Sequence, residues 1–231
     1  YDIGRHNGEL LAKSGIDLSP VLAIPEQQTA FGLSCLPIYE QYLPKIMQEV
    51  RGLADGLGQR YETVACWLFA LYCFENDHGC SVFAVRSGEH TYFGRNMDMF
   101  PEYKKTSESV LYMPENRNIF LAHSTAMICV EDGMNEHGLA AALTFLLPKT
   151  VKPGINGGFL IRLILEECKE LISGKRGFLC QYEKKLHFET IWSAVYDLNS
   201  LCNEICEGNP AKSAFRPDTR LAWGMNKAKR K

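Results

Sequence analysis

The stretch from Gly79 to Asp98 constrains this chain more than any other. Cys80-Ser81-Val82-Phe83-Ala84-Val85-Arg86 is β-branched and aromatic without a breaker, Ser87-Gly88-Glu89-His90 is a turn cluster, and Thr91-Tyr92-Phe93-Gly94 resumes a strand. Two antiparallel strands joined by a loop of two to four residues must pair positions whose numbers sum to a constant. Cys80 is therefore expected opposite Met97 or Asp98, so that a thiol and a carboxylate meet at the open end of one hairpin.

A cysteine that begins a chain carries its own base. Its α-amino group has an unperturbed pKa of about 7.7–8.0, so no separate histidine is needed to take the thiol proton. The sequence suits such a chemistry if the bond between Gly79 and Cys80 is cut. Gly79 has no Cβ, which lets the thiol approach its carbonyl. Asp98 can orient the new ammonium, and Arg95 can favour the thiolate or hold an anionic group of a substrate. Arg95 and Asp98 are three apart, so both reach the thiol only if the strand bends or ends there. Asp77 and His78 precede the cut, but they read first as solvated loop residues and are left out of the site.

Gly-Cys-Ser at 79–81, Gly94-Arg95-Asn96-Met97-Asp98 and Gly133-Met134-Asn135-Glu136-His137-Gly138-Leu139 together resemble the N-terminal-nucleophile hydrolases of the penicillin V acylase and bile-salt hydrolase group. The segment before Cys80 makes the chain most similar to the acyl-CoA:6-aminopenicillanic acid acyltransferase branch. The opening Tyr1-Asp2-Ile3-Gly4 with Asn7-Gly8, and the end from about Gln181 to Leu221, also take part in the likeness. The resemblance implies an α+β fold, the four-layer αββα sandwich, made as a precursor that cuts itself at Gly79-Cys80. It implies Cys80 as the nucleophile with Arg95 and Asp98 beside it, acting on a linear amide of a small molecule. Two departures accompany it. Thr144 stands near the position where relatives place an oxyanion-hole asparagine, although a strand threonine is first of all a good β residue. Leu171-Ile172-Ser173-Gly174-Lys175-Arg176-Gly177 joins a helix almost directly to the terminal strands, where relatives have several more, so the sandwich is expected to be shortened in its middle. Missing strands would leave edges to be covered, for example by association of identical chains.

Around this centre the chain divides into an N-terminal helical leader, residues 1–79, and a β-rich body, residues 80–231. Ile38, Tyr42, Ile46, Val50, Leu53 and Leu57 follow helical spacing, with Pro44 set to kink or restart the helix. A second helix over Thr63 to Phe74 is apolar nearly all round and needs burial, so the leader is expected to stay packed on the body after cleavage. In the body, strands are expected at Ser109–Met113, Ile119–Ala122, Met127–Val130, Leu139–Leu147, Phe188–Leu198 and Leu201–Cys206. The segment Gly133–Gly138 is expected as a turn, and a helix follows from Gly158 to Lys169.

With 231 residues and 46% apolar content the chain can bury a sizeable core. A net charge of −2 offers no field for nucleic acid or an anionic membrane, and the basic end, Lys227 to Lys231, reads as a solvated tail. Nine cysteines, an odd number without a Cys-x-x-Cys pair or a signal segment, point to a reducing, cytoplasmic compartment. No metal motif or phosphate-cradling loop occurs, so no cofactor is expected. Three functions fit: an amidohydrolase, an acyltransferase using the same acyl-enzyme, and an inactive scaffold that has lost its middle strands.

Overall fold

The computed structural model describes residues 1–74, 79–99, 101–144, 150–168, 189–207 and 213–229. Asp77, His78 and the Leu171–Gly177 connection, on which the expectation of missing strands rests, lie outside the described residues, as do residues 145–149. The chain is α+β, with two antiparallel sheets and seven helices among the described residues. It forms two units, one of Tyr1–Asn76, Ala126–Ile128 and Leu146–Gly157, the other of Asp77–Thr125, Cys129–Phe145 and Gly158–Lys231.

The first unit holds α1 (Asp2–Lys13), α2 (Ser19–Leu22), α3 (Glu26–Tyr42), α4 (Pro44–Leu57) and α5 (Tyr61–Ala70). Pro44 does restart the chain: it opens α4, where its missing N–H costs nothing, and Leu43 separates the two helices. Ile46, Val50 and Leu53 give α4 its buried stripe, and Gly58 in the left-handed conformation ends it. Two pairs of glycines spaced by four set how closely α1 and α4 cross. A Cβ on Gly4 or Gly8 of α1 would collide with the backbone of Glu49 or Leu53, and one on Gly52 or Gly56 of α4 with that of Tyr1 or Arg5. The expected second helix is displaced, beginning at Tyr61 and stopping at Ala70, because Leu71 is extended and Tyr72 has φ +64°. Asn156 ties a later segment into this unit: its Nδ2 donates to the Leu68 carbonyl at 2.6 Å and its backbone N–H to the Tyr39 hydroxyl at 2.9 Å.

The second unit holds β1 (Gly79–Ser87), β2 (His90–Met99), β3 (Glu108–Tyr112), β4 (Phe120–Ser124), β5 (Asp132–Asn135), β6 (Ala140–Ala142), α6 (Gly157–Glu167, from its second residue), β7 (Glu189–Asp197), β8 (Cys202–Glu207), β9 (Arg216–Asp218) and α7 (Arg220–Ala228). One sheet runs β1-β2-β7-β8-β9 and the other β3-β4-β5-β6. Met97, Met99, Trp192, Ala194 and Tyr196 of the first share a core with Leu121 and Met134 of the second, so the two sheets face one another. The opposite face of the second sheet, Phe120, Ala122 and Ala141, packs on Ile161 and Leu165 of α6. Gly133 permits that contact, since a Cβ there would lie 2.7 Å from Leu165 Cδ1.

Several expectations shift. Met127–Val130 is not a strand, because Met127 has φ +59° and the segment loops between β4 and β5. The Gly133–Gly138 segment is strand as far as Asn135 and turns only afterwards, with the Asn135 side chain accepting from the N–H of His137 and of Leu139. The long strand expected from Leu139 is three residues, Ala140–Ala142, and both terminal strands join the sheet of the β1–β2 hairpin. The basic end is helical to Ala228, with Lys227 over the exposed Trp223 ring. Among the described residues no helix is long and apolar enough to cross a membrane.

Candidate active site

The β1–β2 hairpin turns at Gly88, whose φ of +62° suits the tight loop, and the register that follows sets Cys80 opposite Met97 and Gly79 opposite Asp98. Side chains directly opposite share a face, and those two apart along a strand share it too, so Cys80, Met97 and Arg95 all project between the sheets. Ala194 lies opposite Arg95 on β7, and its small side chain leaves room for the guanidinium.

Arg95 is buried and its fork is fully engaged. Nη2 donates to Cys80 Sγ at 3.0 Å, Nη1 to Asp132 Oδ2 at 2.8 Å and Nε to the Leu143 carbonyl at 3.2 Å. Met97 Sδ closes the other side of the thiol, 3.6 Å from Cys80 Sγ. Burial pushes the Cys80 thiol above its ordinary pKa, Arg95 works against that rise, and the Glu131 and Asp98 carboxylates add to it. The thiol is therefore protonated at neutral pH.

Asp132 anchors the arginine and gathers two more buried groups, one from the neighbouring strand and one from the facing sheet. His123, directly opposite Asp132 in the β4–β5 pairing, brings Nδ1 to 2.8 Å from Asp132 Oδ1 and 2.7 Å from the Tyr196 oxygen, and the Tyr196 hydroxyl donates to the same carboxylate. A carboxylate can only accept, so the imidazole proton sits on Nδ1. The other ring nitrogen of His123, Nε2, is buried and has no hydrogen-bond partner among the described residues. Burial alone would raise the Asp132 carboxyl, yet His123 and Arg95 hold it below the usual carboxylate range. The same burial, with Asp132 beside it, lifts the Tyr196 phenol well above its ordinary value. Glu131, also buried, accepts from the Thr125 N–H and hydroxyl. The result is a chain of partners from Cys80 through Arg95 and Asp132 to His123 and Tyr196, which has the parts for holding a thiolate and a developing negative charge.

The comparisons with known proteins bear on this arrangement. Residues 85–173 match the acyl-coenzyme A:6-aminopenicillanic acid acyl-transferase family. No curated protein matches the chain. The stretch similar to the acyl-transferase family includes Arg95, Asp98 and Asp132 and begins just after Cys80. The likeness read from the motifs is thus borne out over that stretch.

Of the residues singled out in the sequence, the structure brings Cys80 and Arg95 into contact and sets Gly79 beside Asp98. Asp98 is buried and acts on the thiol electrostatically. The register between β2 and β7 shifts at Met97/Asp98, the irregularity that the spacing of Arg95 and Asp98 calls for. Thr144 is exposed, one residue beyond the carbonyl that Arg95 uses. Asp132, His123 and Tyr196 escaped the sequence reading. Their one signal is a charged or polar group set in an apolar strand, as His123 is in Phe120-Leu121-Ala122-His123, since such groups are buried only with partners.

Proposed function

We propose that this chain is a self-processing cysteine enzyme that forms a thioester with the acyl group of a linear amide. The observation that carries this reading is the Arg95 guanidinium at 3.0 Å from Cys80 Sγ, anchored on its far side by Asp132. The two facing sheets with α6 on the second are compatible with the αββα sandwich of N-terminal-nucleophile hydrolases, and the family match supports assigning that layering.

In the first step the Cys80 sulfur attacks the Gly79 carbonyl carbon, the Gly79–Cys80 C–N bond breaks, and the thiol proton passes to the freed nitrogen, which becomes the new α-amine. Water hydrolyses the resulting thioester, leaving a Gly79 carboxylate and the Cys80 thiol. That amine now lies beside the thiol and accepts its proton, with Asp98 stabilising the ammonium. In catalysis the thiolate attacks the substrate carbonyl, the ammonium returns its proton to the leaving amine, and water completes hydrolysis. The name of the matched family favours a second outcome of the same acyl-enzyme, in which an acceptor amine takes the acyl group.

Asn156 bridges the cut in this reading. It follows Cys80 in sequence yet bonds to Leu68 and Tyr39, which precede it. The helical fragment accordingly stays attached after processing.

Intact mass under denaturing, reducing conditions tests the proposal. Wild type should give two fragments meeting at Gly79 and Cys80, and Cys80→Ala a single chain without amidase activity. Products formed with and without an added primary amine then separate hydrolysis from transfer. A wild-type chain that remains whole and inert would replace this reading with a scaffold role.

A further inference from the structure

A cleft of about 310 Å³ opens between the two sheets on the far side of the arginine network, lined by residues of β3, β4, β7 and β8. Its buried inner wall carries His123 and Trp192, Glu108 and Ile205 flank it, and the exposed Glu207 and Lys104 stand at its mouth. The cleft is not lined by the thiol. Cys80, Met97, Trp192 and Glu207 form one row across β1, β2, β7 and β8, so the backbone of Trp192 is two strands, or about 10 Å, from that of Cys80, and the Trp192 ring packs on the Arg95 guanidinium between them.

The polarity of the cleft is set by His123. Asp132 and the Tyr196 oxygen occupy its Nδ1, and Nε2 is left buried and unmatched among the described residues; in the neutral imidazole with its proton on Nδ1 that nitrogen is an acceptor. A buried acceptor without a donor costs about 1–3 kcal/mol, and a ligand that supplies the donor recovers it. Glu108 and Glu207 are acceptors as well, and their charge outweighs the single Lys104 ammonium at the rim. Trp192 and Ile205 add apolar wall.

We propose that this cleft binds a small primary amine in its ammonium form, one N–H donated to His123 Nε2, the charge balanced by Glu108 and Glu207, and an apolar substituent against Trp192 and Ile205. An anion of the same shape meets two carboxylates against one ammonium and is disfavoured. A cleft of this volume suits a ligand of one ring or a short chain.

The test uses the full chain carrying Cys80→Ala, so that neither processing nor catalysis enters, with Trp67→Phe and Trp223→Phe leaving Trp192 as the only tryptophan. Benzylamine should change Trp192 fluorescence saturably, and phenylacetate should not. Glu207→Gln should weaken benzylamine about threefold, as expected for an exposed charge pair, and His123→Phe at least about tenfold. The ¹⁵N resonance of His123 Nε2 should move on adding benzylamine to the chain with His123 intact, a readout that does not depend on the variants folding. No saturable response, an equal response to phenylacetate, or an Nε2 resonance unmoved at saturating benzylamine overturns the proposal.

Discussion

Arg95 and Asp132 form a buried ion pair, Nη1 to Oδ2 at 2.8 Å, with both side chains shielded from solvent, and the guanidinium that makes it also donates to the Cys80 thiol. One residue thereby joins the Cys80 thiol on the hairpin sheet to an acid on the facing sheet. The pair is the mechanical link between folding of the two sheets and readiness of the thiol.

Replacing Asp132 by Asn should be costly, because it leaves the guanidinium charged, buried and without its counter-ion. Breaking one side of a buried pair costs about 3–5 kcal/mol, so the midpoint of urea unfolding should drop sharply. A change within the noise of the measurement would mean that Arg95 finds another anion, with Glu131 the nearest candidate.

Arg95→Lys keeps a positive charge but loses the planar fork that serves Asp132, Leu143 and Cys80 together. The thiol should then sit still higher above its ordinary pKa. Alkylation of Cys80 by iodoacetamide, followed by peptide mass mapping across pH 6–10, should slow at each pH, with the profile displaced upward. Faster alkylation would contradict the stabilising role given to the arginine.

Acid should strip stability through Asp132. Its carboxyl is held below 3.8 in the folded chain, so it binds fewer protons than in the unfolded chain at low pH. The contribution is complete above the unfolded value and disappears as pH falls through the folded one. Unfolding midpoints measured from pH 6 to pH 2 should therefore fall more steeply in wild type than in Asp132→Asn.

Gly52→Ala should disrupt the α1–α4 crossing even though alanine is the better helix former by about 1 kcal/mol. The new methyl collides with the Tyr1 carbonyl, which is backbone and cannot rotate away. Overpacking of this kind costs about 1–3 kcal/mol, to be read as a lower thermal midpoint by circular dichroism.

If the chain is cut as proposed, fragments 1–79 and 80–231 should elute together from a sizing column without denaturant. Asn156→Ala should let them separate at lower urea, by the equivalent of about 1–3 kcal/mol for the buried polar partners it abandons. Separation of the wild-type fragments in plain buffer would show that the link across the cut is too weak.

Much of the immediate setting of Cys80 was legible in the sequence. The breaker-free run before Ser87 and the glycine in the turn fix where the hairpin reverses, and that reversal pairs Cys80 with Met97. Pro44 announced the division of one helical pattern into α3 and α4. The reading faltered where a local pattern had a competing explanation. Met127-Ile128-Cys129-Val130 has strand composition, yet Met127 takes a left-handed φ and the four residues become a loop. Among the described residues the apolar run from Leu139 holds three residues of strand, and the carbonyl of Leu143 just beyond them accepts from Arg95.

What the sequence by itself determined is the hairpin, because a short loop leaves antiparallel register only whole-number choices and side-chain alternation then decides which residues share a face. What only the tertiary structure decided is the set of partners behind the thiol. Asp132, His123 and Tyr196 come from three strands: β4–β5 pairing sets His123 beside Asp132, and Tyr196 and Arg95 reach them only because Leu121 and Met134 of one sheet pack on Met97, Ala194 and Tyr196 of the other. Packing of that kind depends on apolar surface summed over the whole unit, and no window of sequence contains it.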